Sequence, residues 1–237
     1  MIWQGKQYPF YYPPATQELD APKVAWIPID PLENVGTHVL RIQQEAGKPP
    51  LATWQITVQS GQFGQQNIHV SKGAKGLEAS AEESRLVEAW KRRRTPTLYA
   101  DMRGLPWKPP VPQCMNSPFG VKRLYDGVFS GNYHKGIDQK SPQGQAIHPV
   151  TAGVVVMAGQ YPLHGGTVAV DHGHGLGSIY IHMHQVKVKV GDTVSPTQVL
   201  GTVGSTGFAM GPHLHWGLYL HGIPLNPVEG WVHVTPC

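Results

Sequence analysis

The second half of the sequence is a succession of short runs that are rich in valine or alternate between apolar and polar residues, separated by turns such as Gly191-Asp192. Runs of this kind are typical of β-strands, because successive side chains of a strand point to opposite faces. No strong amphipathic helix lies among them. We therefore predict an antiparallel β domain with a groove. Its predicted strands are Val154–Met157, Thr167–Val170, Ser178–Met183, Val186–Val190 and Pro212–Leu220.

The length leaves room for a second domain, because 237 residues can hold one large β domain or two smaller ones. Charged residues make up only 14% of the chain, against 28 glycines and 22 prolines, and this balance favours turns and short strands over long helices. The predicted fold class is mainly β. We expect a β-sandwich-like domain at residues 1–105, a Pro-rich connector at residues 106–118 and the antiparallel β domain with its groove at residues 119–237.

One helix is expected in the N-terminal domain, near residues 80–94. Ser80 and Glu83 have the spacing of a capping box, in which each side chain bonds the backbone amide of the other residue. Leu86 and Trp90 follow one turn apart on one face. The basic residues 91–94 come near the end of the helix, where positive charge complements the helix dipole. We interpret this cluster as helix-end electrostatics and not as a binding patch.

Histidines concentrate in the predicted β domain and recur at strand spacing. In the stretch Gly211–Trp216, His213 and His215 are two apart and would project from the same face of a strand. Two imidazoles on a rigid element can share a metal, or one can bind it while the other stands beside it. Polar surface is the commoner meaning of such a pair taken alone.

A second stretch combines a histidine with a carboxylate. His134 and Asp138 are four apart, but Gly131 and Gly136 disfavour a helix. We therefore predict a loop that runs into a strand, with His134 at its mouth and Asp138 on the strand. A surface His–Asp pair would be the commoner outcome for this spacing alone.

A third stretch alternates strictly, so that Tyr180, His182 and His184 share one strand face. Polar residues on a strand face are normally just solvated. Taken together, however, the three stretches supply histidines and one carboxylate from separate strands. Zinc suits this mixture, because a catalytic zinc site needs three nitrogen or oxygen ligands from the protein and one open position.

Three motifs in this order resemble the signature of the lysostaphin/LytM-type zinc metallopeptidases, enzymes that cut the peptide part of bacterial peptidoglycan. The motifs are His134–Asp138, Tyr180–His182 and Gly211–His215. The likeness covers roughly the C-terminal half of the chain and includes the flanking stretches Ser117–Gly120, Val188–Asp192 and Gly201–Gly207. The sequence departs from the family at Gln139, where members often have a small or apolar residue. The N-terminal half resembles, on patterning, the immunoglobulin-like domain that precedes some of these peptidases.

The resemblance implies a site with defined roles. His134, Asp138 and His215 would bind Zn²⁺, and His182 and His213 would stand beside the metal as catalytic groups for proton transfer or oxyanion stabilisation. Which of the two is the general base stays open. The resemblance implies a zinc metalloendopeptidase that hydrolyses peptide cross-links of peptidoglycan. The glycine-rich stretch at residues 201–211 would form a wall of the substrate groove, or an ordinary hairpin connection.

A different class of function stays possible. Some relatives keep this fold, lose metal ligands and activate other wall enzymes, so the alternative is a non-catalytic LytM-like protein that binds or regulates the wall. A complete set of ligands and catalytic histidines, as in this sequence, favours catalysis. A structural adhesin built from two β domains is a third hypothesis, which metal analysis would exclude.

The resemblance implies a periplasmic or secreted protein. The start of the sequence lacks the features of a signal peptide, so for a protein outside the cytoplasm we expect that an export signal has been removed or that export uses another route. There is no apolar run of about 18 residues that would make a transmembrane segment. The formal net charge is +4, but no basic stripe with interleaved aromatic residues indicates nucleic acid. Cys114 and Cys237 form one disulfide in an oxidising compartment, or are two unrelated thiols.

Overall fold

The computed structural model describes residues 1–11, 23–43, 48–68 and 76–237. The chain divides into two compact units, Met1–Gln62 and Phe63–Cys237. This division comes earlier than the predicted one near residue 105. The predicted helix and the Pro-rich stretch both lie in the second unit. Parts of the predicted N-terminal domain, at residues 12–22, 44–47 and 69–75, lie outside the described residues.

The first unit contains a four-stranded antiparallel sheet in the order β2-β1-β3-β4. Its strands are β1 (Ile2–Trp3), β2 (Lys6–Gln7), β3 (Gly36–Ile42) and β4 (Ala52–Val58). Trp3, Tyr8, Leu40 and Val58 form its buried cluster. The stretches His38–Ile42 and Trp54–Val58, in which apolar and polar residues alternate as in a strand, fall within β3 and β4, and Val24 makes an isolated bridge with Tyr11. The immunoglobulin-like assignment of this unit stays a prediction.

The second unit is also built mainly from β-strands, as predicted. Three of them form one sheet, in which β5 (Gln65–Ile68) runs parallel to β7 (Lys122–Tyr125), and β7 pairs antiparallel with β8 (Val128–Tyr133). The other strands are β6 (Met115–Ser117), β9 (Ile137–Gln139), β10 (Ala146–Ile147), β11 (Gly153–Tyr161), β12 (Gly165–Gly173), β13 (Leu176–Val186), β14 (Thr193–Val194), β15 (Gly201–Val203), β16 (Leu214–Leu220) and β17 (Ile223–Leu225).

These ten strands make one antiparallel sheet whose main path is β14-β11-β12-β13-β16-β9-β6. β15 pairs with β10 and β13, and β17 pairs with β16. The three predicted motifs lie on neighbouring strands of this path, because β16 pairs with β13 on one side and with β9 on the other. The antiparallel β domain predicted from the sequence is therefore confirmed.

The helix α1 (Ala81–Lys91) begins at Ser80, and both hydrogen bonds of the predicted capping box are present. Trp90 near its end is buried, and its ring packs against that of Tyr219 with the centroids 4.9 Å apart. The Trp90 indole also joins the buried cluster that contains Met157 and Ile179. This apolar face fixes the helix to the ten-stranded sheet. A 3₁₀ turn, Met102–Gly104, follows.

The Pro-rich stretch at residues 106–118 is packed against the same sheet. Val111 is buried, and the buried Gln139 side chain donates hydrogen bonds to the carbonyl oxygens of Val111 at 3.1 Å and Gln113 at 2.6 Å. The side-chain oxygen of Gln139 is used too, because Oε1 accepts a hydrogen bond from Nε1 of Trp216 at 2.9 Å. The polar residue at position 139 therefore anchors this stretch to the strand that carries Asp138.

A disulfide joins Cys114 to Cys237, with the two Cα atoms 5.0 Å apart. The last residues pair alongside β6, through hydrogen bonds from Met115 N to Thr235 O and from Cys237 N to Met115 O, both 2.9 Å long. β6 is the neighbour of β9 in the sheet. Among the described residues, no helix is both long enough and apolar enough to span a bilayer.

Candidate active site

Strand pairing brings Asp138 and His215 together. Asp138 on β9 lies directly opposite His215 on β16 in the antiparallel ladder, and residues opposite each other project on the same side of the sheet. Gly136 permits this approach, because a Cβ atom there would lie 2.2 Å from the carbonyl oxygen of Trp216. His134 comes from the end of β8, just before this glycine.

The three side chains of His134, Asp138 and His215 meet at one point. His134 Nε2 lies 3.0 Å from Asp138 Oδ1 and 2.9 Å from His215 Nδ1, and the last two atoms are 2.7 Å apart. This trio is a group of ligand-type atoms that could hold a metal ion. Two imidazole nitrogens and one carboxylate oxygen are ligands that zinc prefers in proteins.

Hydrogen bonds outside the trio orient His134. Its Nδ1 lies 2.9 Å from the carbonyl oxygen of Pro118. A carbonyl can only accept, so Nδ1 carries the hydrogen and the neutral ring presents a lone pair on Nε2 to the centre. A backbone carbonyl that fixes the tautomer of a histidine in this way is usual at metal sites. The residues therefore fit a metal ion.

The protonation states suit a cation as well. Burial lowers the pKa of His215 to about 4, although its hydrogen bond to Asp138 acts in the opposite direction. Burial raises the pKa of Asp138, but the imidazoles of His134 and His215 beside it outweigh burial and hold the pKa of this carboxyl well below its usual value. A neutral imidazole and an ionised carboxylate are the forms that bind metal.

Arg123, which the sequence analysis did not single out, contacts the same carboxylate. Its Nη2 lies 3.2 Å from Asp138 Oδ2 and 3.4 Å from Ser117 Oγ, and its side chain is 13% exposed. Ser117 Oγ in turn lies 3.3 Å from Nδ1 of His134. The two oxygens of Asp138 are thus divided, since Oδ1 faces the imidazoles and Oδ2 faces the guanidinium. No spacing rule links Arg123 to a histidine motif, so the sequence held no signal for this contact.

His182 and His213 lie beside the trio. Their ring centroids are 5.1 Å apart, and the His182 ring is 6.1 Å from that of His215. Nε2 of His213 lies 3.9 Å from Asp138 Oδ1. All five residues singled out as site residues from the sequence are therefore brought to one place in the structure.

Both of these histidines are oriented through Nδ1. Nδ1 of His182 lies 2.8 Å from the carbonyl oxygen of Thr206, and Nδ1 of His213 lies 2.8 Å from the carbonyl oxygen of Gly211. Each neutral ring therefore keeps a lone pair on Nε2. Burial, and then the neighbouring His215 and His213, lowers the pKa of His182 to about 3. A neutral imidazole with a free lone pair can accept a proton.

The backbone at His182 departs from the strict alternation predicted for this strand. The pairing of β13 with β12 shifts between Met183 and Tyr180, which is a bulge or irregularity at this point, and His182 has a φ of +62°. Non-glycine residues seldom adopt this left-handed conformation, and β-bulges often re-aim a side chain near an active site. Beyond the bulge His184 is exposed, whereas His182 is buried.

His172 on β12 is a completely buried histidine outside this group of five residues. Its Nδ1 lies 2.8 Å from the carbonyl oxygen of Ala152, and its Nε2 lies 2.8 Å from Ser178 Oγ. Ser178 Oγ also lies 2.9 Å from the hydroxyl oxygen of the buried Tyr180. This polar network lies within the sheet, and its groups satisfy one another.

Residues 132–227 match the family described as Peptidase family M23. The DD-carboxypeptidase/endopeptidase Mpg of Neisseria meningitidis is 35% identical over 115 residues, which are 48% of this chain and 26% of that protein. The peptidoglycan DD-endopeptidase ShyA of Vibrio cholerae is 35% identical over 115 residues, 48% of this chain and 27% of that protein.

One solved structure is similar over nearly the whole chain. It is the crystal structure of a Pseudomonas aeruginosa protein described as a candidate peptidase M23, with 28% identity and a TM-score of 0.68, covering 96% of this chain and 84% of that one. By contrast, the chain spans about a quarter of the length of the two curated relatives. The region that matches Peptidase family M23 contains His134, Asp138, His182, His213 and His215.

Proposed function

We propose that this protein is a zinc-dependent endopeptidase that hydrolyses peptide cross-links of bacterial peptidoglycan. The observation that carries the proposal is the convergence of a His134–Asp138–His215 trio with two further histidines, His182 and His213, in the region that matches Peptidase family M23. The names of the two curated relatives, one of them a peptidoglycan DD-endopeptidase, support the substrate class.

In this proposal His134, Asp138 and His215 hold the zinc ion. When bound, zinc supplies Lewis acidity, which lowers the pKa of a water molecule and polarises the carbonyl of the bond to be cut. Arg123 keeps the second oxygen of Asp138 occupied and its charge compensated. Ionised Asp138 and neutral His215 need no change of protonation before they bind the metal.

His182 and His213 share the proton transfers. One of them, neutral, would accept the proton of the attacking water on Nε2. The other, when it carries a proton on Nε2 as well, would donate a hydrogen bond to the developing oxyanion or give that proton to the leaving amine. The hydrogen bonds from Nδ1 to Thr206 and Gly211 keep both Nε2 atoms available for this task. A histidine base replaces the glutamate used by peptidases with a His-Glu-x-x-His helix.

We also propose that the protein acts outside the cytoplasm, in the periplasm or as a secreted protein. Peptidoglycan lies there, and a disulfide such as Cys114–Cys237 persists in an oxidising compartment.

Digestion of purified peptidoglycan tests the proposal. The zinc-loaded protein should convert cross-linked muropeptides into uncross-linked ones, each cut releasing a new amine that mass spectrometry can place. The His213→Ala variant and the chelator-treated protein serve as controls and should leave the cross-links intact. Zinc-loaded protein that sediments with peptidoglycan but cuts no peptide bond would overturn the proposal in favour of a non-catalytic wall-binding protein.

A further inference from the structure

The helix α1 lies outside the residues that match the family, yet its Glu83 reaches toward the site. The Glu83 side chain is completely buried, and no step proposed above uses it. A buried carboxylate is costly unless it is well hydrogen-bonded. The partners of Glu83 therefore indicate what the residue does.

Both carboxylate oxygens of Glu83 are used, and mostly by one loop. Oε1 accepts from the backbone N of His164 at 2.8 Å and lies 2.5 Å from the Nδ1 of the same residue. Oε2 accepts from Leu163 N at 3.2 Å and from Ser80 N at 3.2 Å. Burial raises the pKa of Glu83, but the hydrogen bonds from His164 and Leu163 outweigh it and leave the pKa below its ordinary value. The loop between β11 and β12 is thus tied to an ionised residue of the helix.

The same loop holds the backbone of His182. The carbonyl oxygen of His164 accepts the hydrogen bond of the His182 N–H at 2.9 Å. His182 is the residue whose φ is +62°, and a non-glycine residue keeps this left-handed conformation only where its surroundings enforce it. The contact with His164 is one of the bonds that enforce it.

The loop also holds the segment that orients the His182 ring. Leu163 O accepts from Phe208 N at 2.8 Å, and Gly166 N donates to Thr206 Oγ1 at 2.8 Å. Thr206 is the residue whose carbonyl oxygen accepts from Nδ1 of His182. The backbone of His182 is therefore fixed by the loop bound to Glu83, and its ring is fixed by a segment that this loop and the start of β12 hold together.

We propose that Glu83 is a positioning residue for His182, so that helix α1 is a functional part of the peptidase unit and not merely a covering element. Glu83 acts through the loop of Leu163 and His164, which carries the acceptor for the His182 amide. Its effect on catalysis rests on the proposed function, whereas its effect on the His182 backbone does not.

The substitution Glu83→Gln tests this role with little change of shape. An amide has one acceptor oxygen and one donor nitrogen. In either orientation, its NH₂ group would face at least one backbone N–H, that of His164 on one side or those of Leu163 and Ser80 on the other. The loop can then no longer keep all its hydrogen bonds to the helix.

Two variants serve as controls. Glu82→Gln makes the same chemical change at the exposed neighbour in the first turn of the helix. Ser80→Ala removes the cap bond to the Glu83 amide but leaves the bonds from Glu83 to the loop, so it weakens the start of the helix alone.

The measurements are amide hydrogen exchange by NMR and steady-state kinetics on a peptidoglycan fragment. For Glu83→Gln we expect the His182 amide to exchange at least ~10-fold faster relative to that of Ile179 on the same strand, since only the first bonds to the loop. We expect kcat to fall roughly 10- to 100-fold, the scale of a misplaced catalytic group, with KM and zinc content close to wild type. Both controls should keep the wild-type values of kcat and of the exchange ratio.

Three results would overturn the inference. They are an unchanged exchange ratio in Glu83→Gln, an equal change in Ser80→Ala, and a wild-type kcat in Glu83→Gln when the wild-type protein is active. If the wild-type protein cuts no peptidoglycan, the proposed function fails, and the exchange ratio still decides whether Glu83 positions His182.

Discussion

Asp138 and His215 face each other across the ladder of β9 and β16, with Oδ1 of the carboxylate 2.7 Å from Nδ1 of the imidazole. The pair is built on two hydrogen-bonded strands and not on loops, so its geometry is part of the sheet. His134 joins it from the turn that Gly136 allows to approach β16. A site held in this way is preorganised for the metal.

Removing one member of the trio should release the metal. The purified protein should contain about one zinc per chain, and His215→Ala should lose most of it, because two protein ligands hold zinc poorly. Elemental analysis after dialysis measures the zinc content. His184→Ala, which replaces an exposed histidine two residues from His182, is the control and should keep its zinc. Full zinc occupancy in His215→Ala would disprove the ligand assignment.

The two histidines beside the trio should separate metal binding from catalysis. His182→Ala and His213→Ala should each keep zinc but lose activity by roughly 100- to 10,000-fold, the usual contribution of one general acid–base group. Parallel measurements of zinc content and of the cleavage rate test this. If His182→Ala lost its zinc while His215→Ala kept it, the roles of ligand and catalytic residue would have to be exchanged.

Arg123 should tune the affinity for zinc. Arg123→Gln removes the charged partner of Asp138 Oδ2, and loss of a group that orients a metal ligand typically lowers metal affinity about 10- to 100-fold. Competition with a chromophoric chelator measures that affinity. Arg92→Gln, an exposed arginine near the end of α1, is the matched control. An affinity equal to that of the wild type in Arg123→Gln would show that Oδ2 needs no partner.

Much of this arrangement could be predicted from the sequence, because it depends on the conformational preferences of residues that are close together in the chain. The alternation around His215 and the glycines around His134 predict a strand and a loop from short-range preferences alone. The order of the three motifs then indicates a family fold, in which these strands are neighbours. The confirmed antiparallel β domain follows from these two kinds of signal.

The contacts that could not be predicted depend on distant parts of the chain. Glu83 reads as a helix cap, and its capping bonds are present, but its bonds to the loop before β12 span about 80 residues. In the sequence, Gln139 is a departure from the family pattern. Its role as an anchor could not be predicted, because the Pro-rich stretch that it binds comes from elsewhere in the sequence. At His182 the bulge interrupts an alternation that the sequence itself continues. Periodicity reports which face a residue occupies, and it does not report partners across the fold.

The buried His172 should make stability depend on pH. Burial lowers its pKa to about 4, whereas an unfolded chain has a histidine pKa of about 6.5. As the pH falls from about 6.5 to about 4, His172 binds a proton in the unfolded state but stays neutral in the folded state. The free energy of unfolding therefore decreases as the pH falls through this range. This single group accounts for roughly 3 kcal/mol over that window.

Denaturant unfolding at several pH values measures the slope. His172→Gln should unfold more easily at neutral pH, because it disturbs the bonds to Ala152 and Ser178, but its stability should fall less steeply between about pH 6.5 and 4 than that of the wild type. His184→Gln, at an exposed site, should keep the wild-type slope. An identical slope in His172→Gln and the wild type would contradict this prediction.

The disulfide between Cys114 and Cys237 should stabilise the second unit at the edge next to Asp138. The bridge spans 123 residues, and in the chain-entropy model closing such a loop contributes roughly 4–5 kcal/mol, although real bridges often deliver less. It ties the last residues to β6, which in turn pairs with β9, the strand of Asp138. Replacing both cysteines by serine should therefore lower the free energy of unfolding and accelerate amide exchange in β6.

Reducing agent provides the control for the disulfide. It should destabilise the wild-type protein to the level of the doubly substituted variant and leave that variant unchanged, because only the wild type has a bond to reduce. Loss of the bridge removes no group of the trio, so the zinc content of freshly folded protein should stay at about one per chain. Mass spectrometry of non-reduced peptides gives the direct test: two free thiols in protein recovered from its native compartment would refute the bridge, and with it one support for action outside the cytoplasm.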